Sequence, residues 1–143
     1  MKLAIVHHAE KKKHADNPTL TVFGHQQAQR AARFVAQRMK IQKIYCTDTL
    51  RTQQSAVPFR DLFPQSEIIQ LEKAPQTWKE WCDFSESKHE PMVVLCHHTT
   101  IQMCAKQFQI SLSRSSHSSV IILERTQENI WNVVDVRQGE TSL

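Results

Sequence analysis

Two histidine pairs, His7-His8 and His97-His98, each close a short apolar run, and Arg51 lies between them in the chain. Imidazole is a nucleophile and proton carrier near neutral pH, and a guanidinium holds oxyanions through a rigid fork of donors. Together they suit phosphoryl transfer, where a nucleophile attacks phosphorus while cationic and hydrogen-bonding groups stabilise charge on three equatorial oxygens. Plainer readings exist for each. A histidine pair can be satisfied in the core or at its rim, and Arg51 can be an exposed helix arginine. The four imidazoles of His7, His8, His97 and His98 could also meet as a metal site.

The elements around these residues bear on the choice. Leu3, Ala4, Ile5 and Val6 suit a strand buried on both faces that delivers His7 and His8 to its carboxyl edge, where open α/β sheets bind ligands. Met92 to Cys96 repeats the pattern before His97 and His98. Arg51 falls in the first turn of a helix that follows a strand over Lys43 to Cys46. Thr47, Asp48 or Thr49 can cap that helix, which runs to about Phe63 with a kink or restart at Pro58. A positive charge in a first turn is unfavourable unless an anion sits between it and the helix end.

The remaining chain supplies the scaffold. Lys11 to Thr19 reads as a loop, and Thr21 can cap an amphipathic helix from Val22 to Lys40 whose Gly24 marks a close approach. Glu67 to Leu71 reads as a third strand, followed by a helix over Pro75 to Ser85 that buries Trp78, Trp81 and Cys82. Thr99 or Thr100 opens a helix with Ile101, Cys104, Ala105 and Phe108 facing inward. A serine-rich stretch, Ser111 to Ser119, leads to an antiparallel pair, Val120 to Glu124 and Ile130 to Val136, around Thr126 to Asn129. The order βαβαβαβα then ββ predicts a mostly parallel sheet with helices on both faces and a late antiparallel edge.

At 143 residues, 40% hydrophobic and 22% charged, the sequence fits one compact domain over residues 1–143. No run is long enough for a signal core or a membrane span, so a soluble, cytoplasmic protein is expected. Cys46, Cys82, Cys96 and Cys104 form no CxxC pair and read as reduced, mostly buried thiols. The net charge of +4, with Lys11, Lys12 and Lys13 in one run, suggests an anionic partner, although a lysine triplet is often only a solvated loop.

Four segments in register resemble the histidine phosphatase superfamily, which includes the phosphoglycerate mutases, and in particular its short phosphohistidine-phosphatase-like members. MKLAIVHHAE looks like the opening strand ending in Arg-His-Gly-Glu, and LTVFGHQQA is similar to Leu-Thr-x-x-Gly-x-x-Gln-Ala. IYCTDTLRTQQSA resembles Ser-Ser-Pro-Leu-x-Arg-Ala-x-Gln-Thr-Ala, and MVVLCHHTTI looks like the strand and Ser-His-Gly-Gly-x-Ile segment. The resemblance implies a three-layer α/β sandwich. It makes His8 the phosphate-accepting histidine, Arg51 a phosphate-binding arginine and His97, four residues before Ile101, the second histidine. His98 takes the small-residue position after it. Glu72, in LEKAP, is similar in place to the acid that some members use to protonate the leaving group, or it is a solvent-facing loop glutamate.

The departures matter as well. His7 stands where the family has its first arginine, Ala9 where it has glycine and Asp48 where proline is usual. Histidine gives one bond at a time and is only partly charged near neutrality, so phosphate affinity should drop unless Lys11 to Lys13 or His98 compensates. The expected activity is a phosphatase with no cofactor or metal, acting on phosphohistidine in proteins or on a small phosphoester, with neither nucleic acid nor membrane as partner. The short chain leaves little room for inserted lids, which favours a protein-accessible site. The alternatives are a weakened family member that binds phosphorylated ligands or a partner protein, and a histidine-rich metal-binding protein.

Overall fold

The two apolar runs that end in histidine lie side by side in the middle of a six-stranded sheet. A computed structural model describes residues 1–13, 16–113, 117–127 and 130–140. Its elements are β1 (Lys2–His7), α1 (Val22–Ala36), β2 (Lys43–Thr47), α2 (Leu50–Leu62), β3 (Glu67–Leu71), α3 (Trp78–Glu86), β4 (Met92–Cys96), α4 (His98–Gln107), β5 (Val120–Gln127) and β6 (Ile130–Arg137). The strand order is β3-β2-β4-β1-β5-β6. The first four of these run parallel, and β5 and β6 add an antiparallel edge. The expected α/β sandwich is the observed fold.

Alternation along β1 divides the core, because successive residues of a strand face opposite sides. Ala4 and Val6 join Ala31, Ala32 and Val35 of α1 and Ala56 and Phe59 of α2 in one layer. Leu3 and Ile5 join Trp81 of α3 and Ile101, Cys104 and Ala105 of α4 in the other. From Leu3 in β1 and Met92 in β4, both central strands are therefore apolar at every position up to the histidines, as a strand covered on two faces requires. The four cysteines are free thiols, all but Cys82 buried. Among the described residues no helix is long and apolar enough to cross a membrane.

Local chemistry accounts for the helix starts. Thr21 caps α1 by accepting from the Gly24 amide, Thr49 caps α2 by accepting from Thr52, and Thr77 forms a capping box with Glu80 on α3. Helix α4 differs from expectation: it begins at His98 with His97 as its N-cap, and His97 makes no side-chain cap bond because its ring is turned to a neighbouring strand end. Pro58 neither ends nor restarts α2, which runs continuously from Leu50 to Leu62. Its missing amide costs one bond to the Gln54 carbonyl, a loss that burial of Ala56 and Phe59 offsets. The expected turn at Thr126 to Asn129 includes residues 128 and 129, and the serine-rich stretch residues 114–116, all outside the described residues; so are residues 14 and 15 of the first loop.

The segment after His8 is held from both sides. A Cβ on Gly24 would lie 2.1 Å from the Glu10 carbonyl oxygen, so only glycine lets α1 come this close. Gln27, fully buried in α1, accepts from the Glu10 amide (2.8 Å) and donates to the Glu140 carbonyl. On the α2 side, Ser55 Oγ accepts from the Ala9 amide (2.9 Å) and donates to the Arg51 carbonyl (2.7 Å).

Candidate functional site

Register sets the site. Because His7 pairs with Cys96 across β1 and β4, His8 and His97 leave adjacent strands at the same level, and the His8 amide donates to the Cys96 carbonyl (3.0 Å). Their rings lie 5.5 Å apart, centroid to centroid. On the other side of β4, Thr47 ends β2, and its hydroxyl bonds His97 Nε2 at 2.8 Å. Arg51 enters from the first turn of α2, near enough that its charge helps hold the His97 pKa down. The Nε of Arg51 is buried with no hydrogen-bond partner. A buried guanidinium donor left unpaired is costly, and an oxyanion satisfies it.

The electrostatics of His8 follow from burial and from its neighbours. Burial first, and the His7, His117 and His97 rings with it, push its pKa down to about 2 against an opposing bond to the Ala9 carbonyl. His8 is therefore neutral. Its Nδ1 lies 2.8 Å from the Ala9 carbonyl oxygen, which can only accept, so Nδ1 carries the proton and Nε2 keeps the lone pair. Burial likewise lowers the pKa values of His97 and His117, in His97 with the Arg51 charge and in His117 with Lys11 and His98 against an opposing Glu10.

These depressed values link folding to pH. All three groups bind protons more readily in the unfolded chain, whose histidines titrate near the ordinary imidazole value of 6.5, so their contribution is complete above that pH and is lost below it. Between about pH 6.5 and 5, His8 alone should give stability a slope that rises from about 0.7 toward about 1.4 kcal/mol per pH unit, because only the unfolded form takes up its proton. Urea midpoints at closely spaced pH values check this. A flat profile in that window, above the range where carboxylates titrate, would contradict the burial of neutral imidazoles here.

The other expected residues divide between two sides. His98, the first residue of α4, packs beside His7 with ring centroids 5.9 Å apart. Glu72 is exposed and lines a cleft of about 300 Å³ together with Thr47, Asp48, Thr49, His97 and Thr100. A larger cavity of about 450 Å³ between Met1, Glu86, His89 and Arg125 opens at the other end of β1 and shares no residue with the cluster of His7, His8, His97, His98 and His117.

One member of the cluster escaped the sequence reading. His117, from the serine-rich stretch, stacks on His7 at 5.0 Å and tilts against His8 at 5.5 Å. The alternative four-imidazole grouping of His7, His8, His97 and His98 is not the one observed: among the described residues, His7, His8 and His117 are the three that bring ligating atoms within 4.8 Å of one another. No spacing rule points to His117, because its partners are more than a hundred residues away; a histidine just before the strand that pairs with β1 was the available signal.

Residues 5–73, a span that includes His8 and Arg51, match the family model for the histidine phosphatase superfamily (branch 1). This segment, just under half of the chain, is similar to that superfamily. A search of curated protein sequences finds no match. Among solved structures, the chain is similar to a protein assigned as the phosphohistidine phosphatase SixA from Agrobacterium tumefaciens, with TM-score 0.73 and 13% identity over 95% of this chain and 97% of that one. It is similar to a mycobacterial glucosyl-3-phosphoglycerate phosphatase in complex with VO3, with TM-score 0.70 and 15% identity over 97% and 99%. A phosphoserine phosphatase from Entamoeba histolytica, in complex with 3-phosphoglyceric acid, gives TM-score 0.65 and 13% identity over 97% and 98%. At these identities the likeness establishes the fold alone.

Proposed function

We propose that the chain is a phosphatase working through a phosphohistidine on His8, with phosphohistidine in proteins or a small phosphoester as substrate. One observation carries this reading: a neutral imidazole with its lone pair on Nε2 lies beside His97, whose pKa burial and the Arg51 charge lower, and Arg51 keeps an unpaired buried Nε in the helix start that follows the neighbouring strand. The Nε2 lone pair forms a bond to phosphorus in line as the bond to the leaving oxygen or nitrogen breaks. Glu72, in the cleft shared with His97, supplies the proton the leaving group takes. Water then attacks phosphorus, Glu72 takes the water proton back, and the nitrogen–phosphorus bond breaks to release inorganic phosphate and neutral His8. Arg51, His97, His98 and His7 hold the phosphoryl oxygens, and no metal takes part.

The test uses the purified chain stripped with EDTA and a generic aryl phosphate. Hydrolysis should persist in the chelator, and a rapid quench should trap phosphate on the protein that is acid-labile and stable to alkali. Turnover lost to chelation and restored by zinc would replace this mechanism with metal-activated water. A second reading draws on His7, which offers one bond where the family arginine offers a fork. It makes the chain a weakened member that binds phosphorylated ligands. Vanadate binding without turnover would favour it.

A further inference from the structure

We propose that His7, His8 and His117 form a three-imidazole site for a divalent transition metal such as Zn²⁺, and that metal and phosphoryl substrate exclude one another there. The ligating atoms lie within 4.8 Å of one another, and the rings form a closed triangle with centroid distances of 4.6, 5.0 and 5.5 Å. Tetrahedral zinc at about 2.0–2.1 Å from each nitrogen sets its ligands about 3.3 Å apart, so ring adjustments of about 1.5 Å or less complete the site. Three imidazole nitrogens and one open position are the ligand set of a zinc or cobalt site with a bound water.

The surrounding bonds are those a metal site requires. His8 donates from Nδ1 to the Ala9 carbonyl, which fixes the tautomer and leaves the lone pair on Nε2. His117 is held by the turn that follows it. Ser118, in the left-handed region at φ 67°, donates its amide to the carbonyls of both His7 and His8 (3.1 and 3.2 Å). Arg137 donates to the Ser118 carbonyl (3.2 Å), and the His7 amide donates to that of Ser119 (3.0 Å). A non-glycine residue in that conformation costs about 1–2 kcal/mol, so the turn is kept by these bonds. Glu10 supplies compensating negative charge near His117, against Lys11.

His7 is decisive for the chemistry. The family's arginine at this position has no lone pair and its charge repels cations, whereas histidine ligates them. The same replacement that weakens phosphate binding thus creates metal affinity. A bound ion takes the Nε2 lone pair that attack on phosphorus needs; this consequence rests on the phosphatase reading, while the binding itself does not.

The experiment titrates the EDTA-stripped, dialysed chain with Co²⁺ and Zn²⁺ in the absence of substrate. One Co²⁺ per chain should bind with the strong visible absorption of a tetrahedral ion, and Zn²⁺ should displace it. His117→Gln and His7→Arg should each weaken Kd about tenfold or more, while far-ultraviolet circular dichroism shows the variants folded. His7→Arg should at the same time tighten vanadate, and vanadate should compete with Co²⁺ in the unaltered chain. The proposal is overturned if no tetrahedral spectrum appears, or if both folded variants bind as the unaltered chain does, as exposed histidines elsewhere would make them do. Failure of the phosphatase reading looks different: the metal binds as expected, yet the chelated chain hydrolyses nothing.

Discussion

His8→Ala should reduce turnover of an aryl phosphate by about 10³-fold or more and abolish the acid-labile phosphate trapped on the chain. Loss of a covalent nucleophile has effects of this order or larger, since the residual rate rests only on binding and charge stabilisation. The neighbours cannot substitute. His97 has Nε2 engaged with Thr47 at 2.8 Å, and His7 lies one residue earlier, where the strand still pairs with Cys96 and Ser119. A ring that is 5% exposed leaves a small cavity when removed, so unfolding must be followed in parallel. Turnover within tenfold of the unaltered chain, with the protein folded, would remove His8 as the nucleophile.

Arg51→Met should lower kcat/KM on the same substrate by about one to two decades, from the loss of a charge-assisted contact with phosphate of about 1.5–3 kcal/mol. The ligand-free protein should respond oppositely. Arg51 puts positive charge in the first turn of α2 and leaves Nε buried and unpaired, both unfavourable without an anion. Its removal should therefore hold or slightly raise the melting temperature, and phosphate or vanadate should stabilise the unaltered chain more than the variant. Arg51→Lys keeps the charge without the fork and should fall between the two. If Arg51→Met unfolds the protein and leaves anion binding untouched, Arg51 is a structural residue.

Much of the architecture was legible because it depends on local pattern. The unbroken apolar runs of β1 and β4 announce strands covered on both faces, and Thr21 and Thr49 mark helix starts by hydrogen bonds within three residues. Gly24 signals a close approach through its lack of Cβ alone, although its partner, the Glu10 carbonyl, comes only with the fold. Pro58 does not restart the helix, one of the two outcomes its type allows: a helix breaker by local rules sits inside α2, where packing against the sheet outweighs one lost bond.

Residue types and element order by themselves determined a parallel α/β sheet, the two strand ends that carry histidines and the helix start that carries Arg51. The tertiary structure decided which imidazoles meet. Neighbouring residues of a regular strand face opposite sides, so a His-His pair specifies no shared site; the rings of His7 and His8 come within 4.6 Å because β1 ends between them. Strand register then sets His97 against His8, and β5 pairing with β1 carries His117 to both from 109 residues beyond His8. Such contacts arise from long-range pairing, which no local pattern encodes.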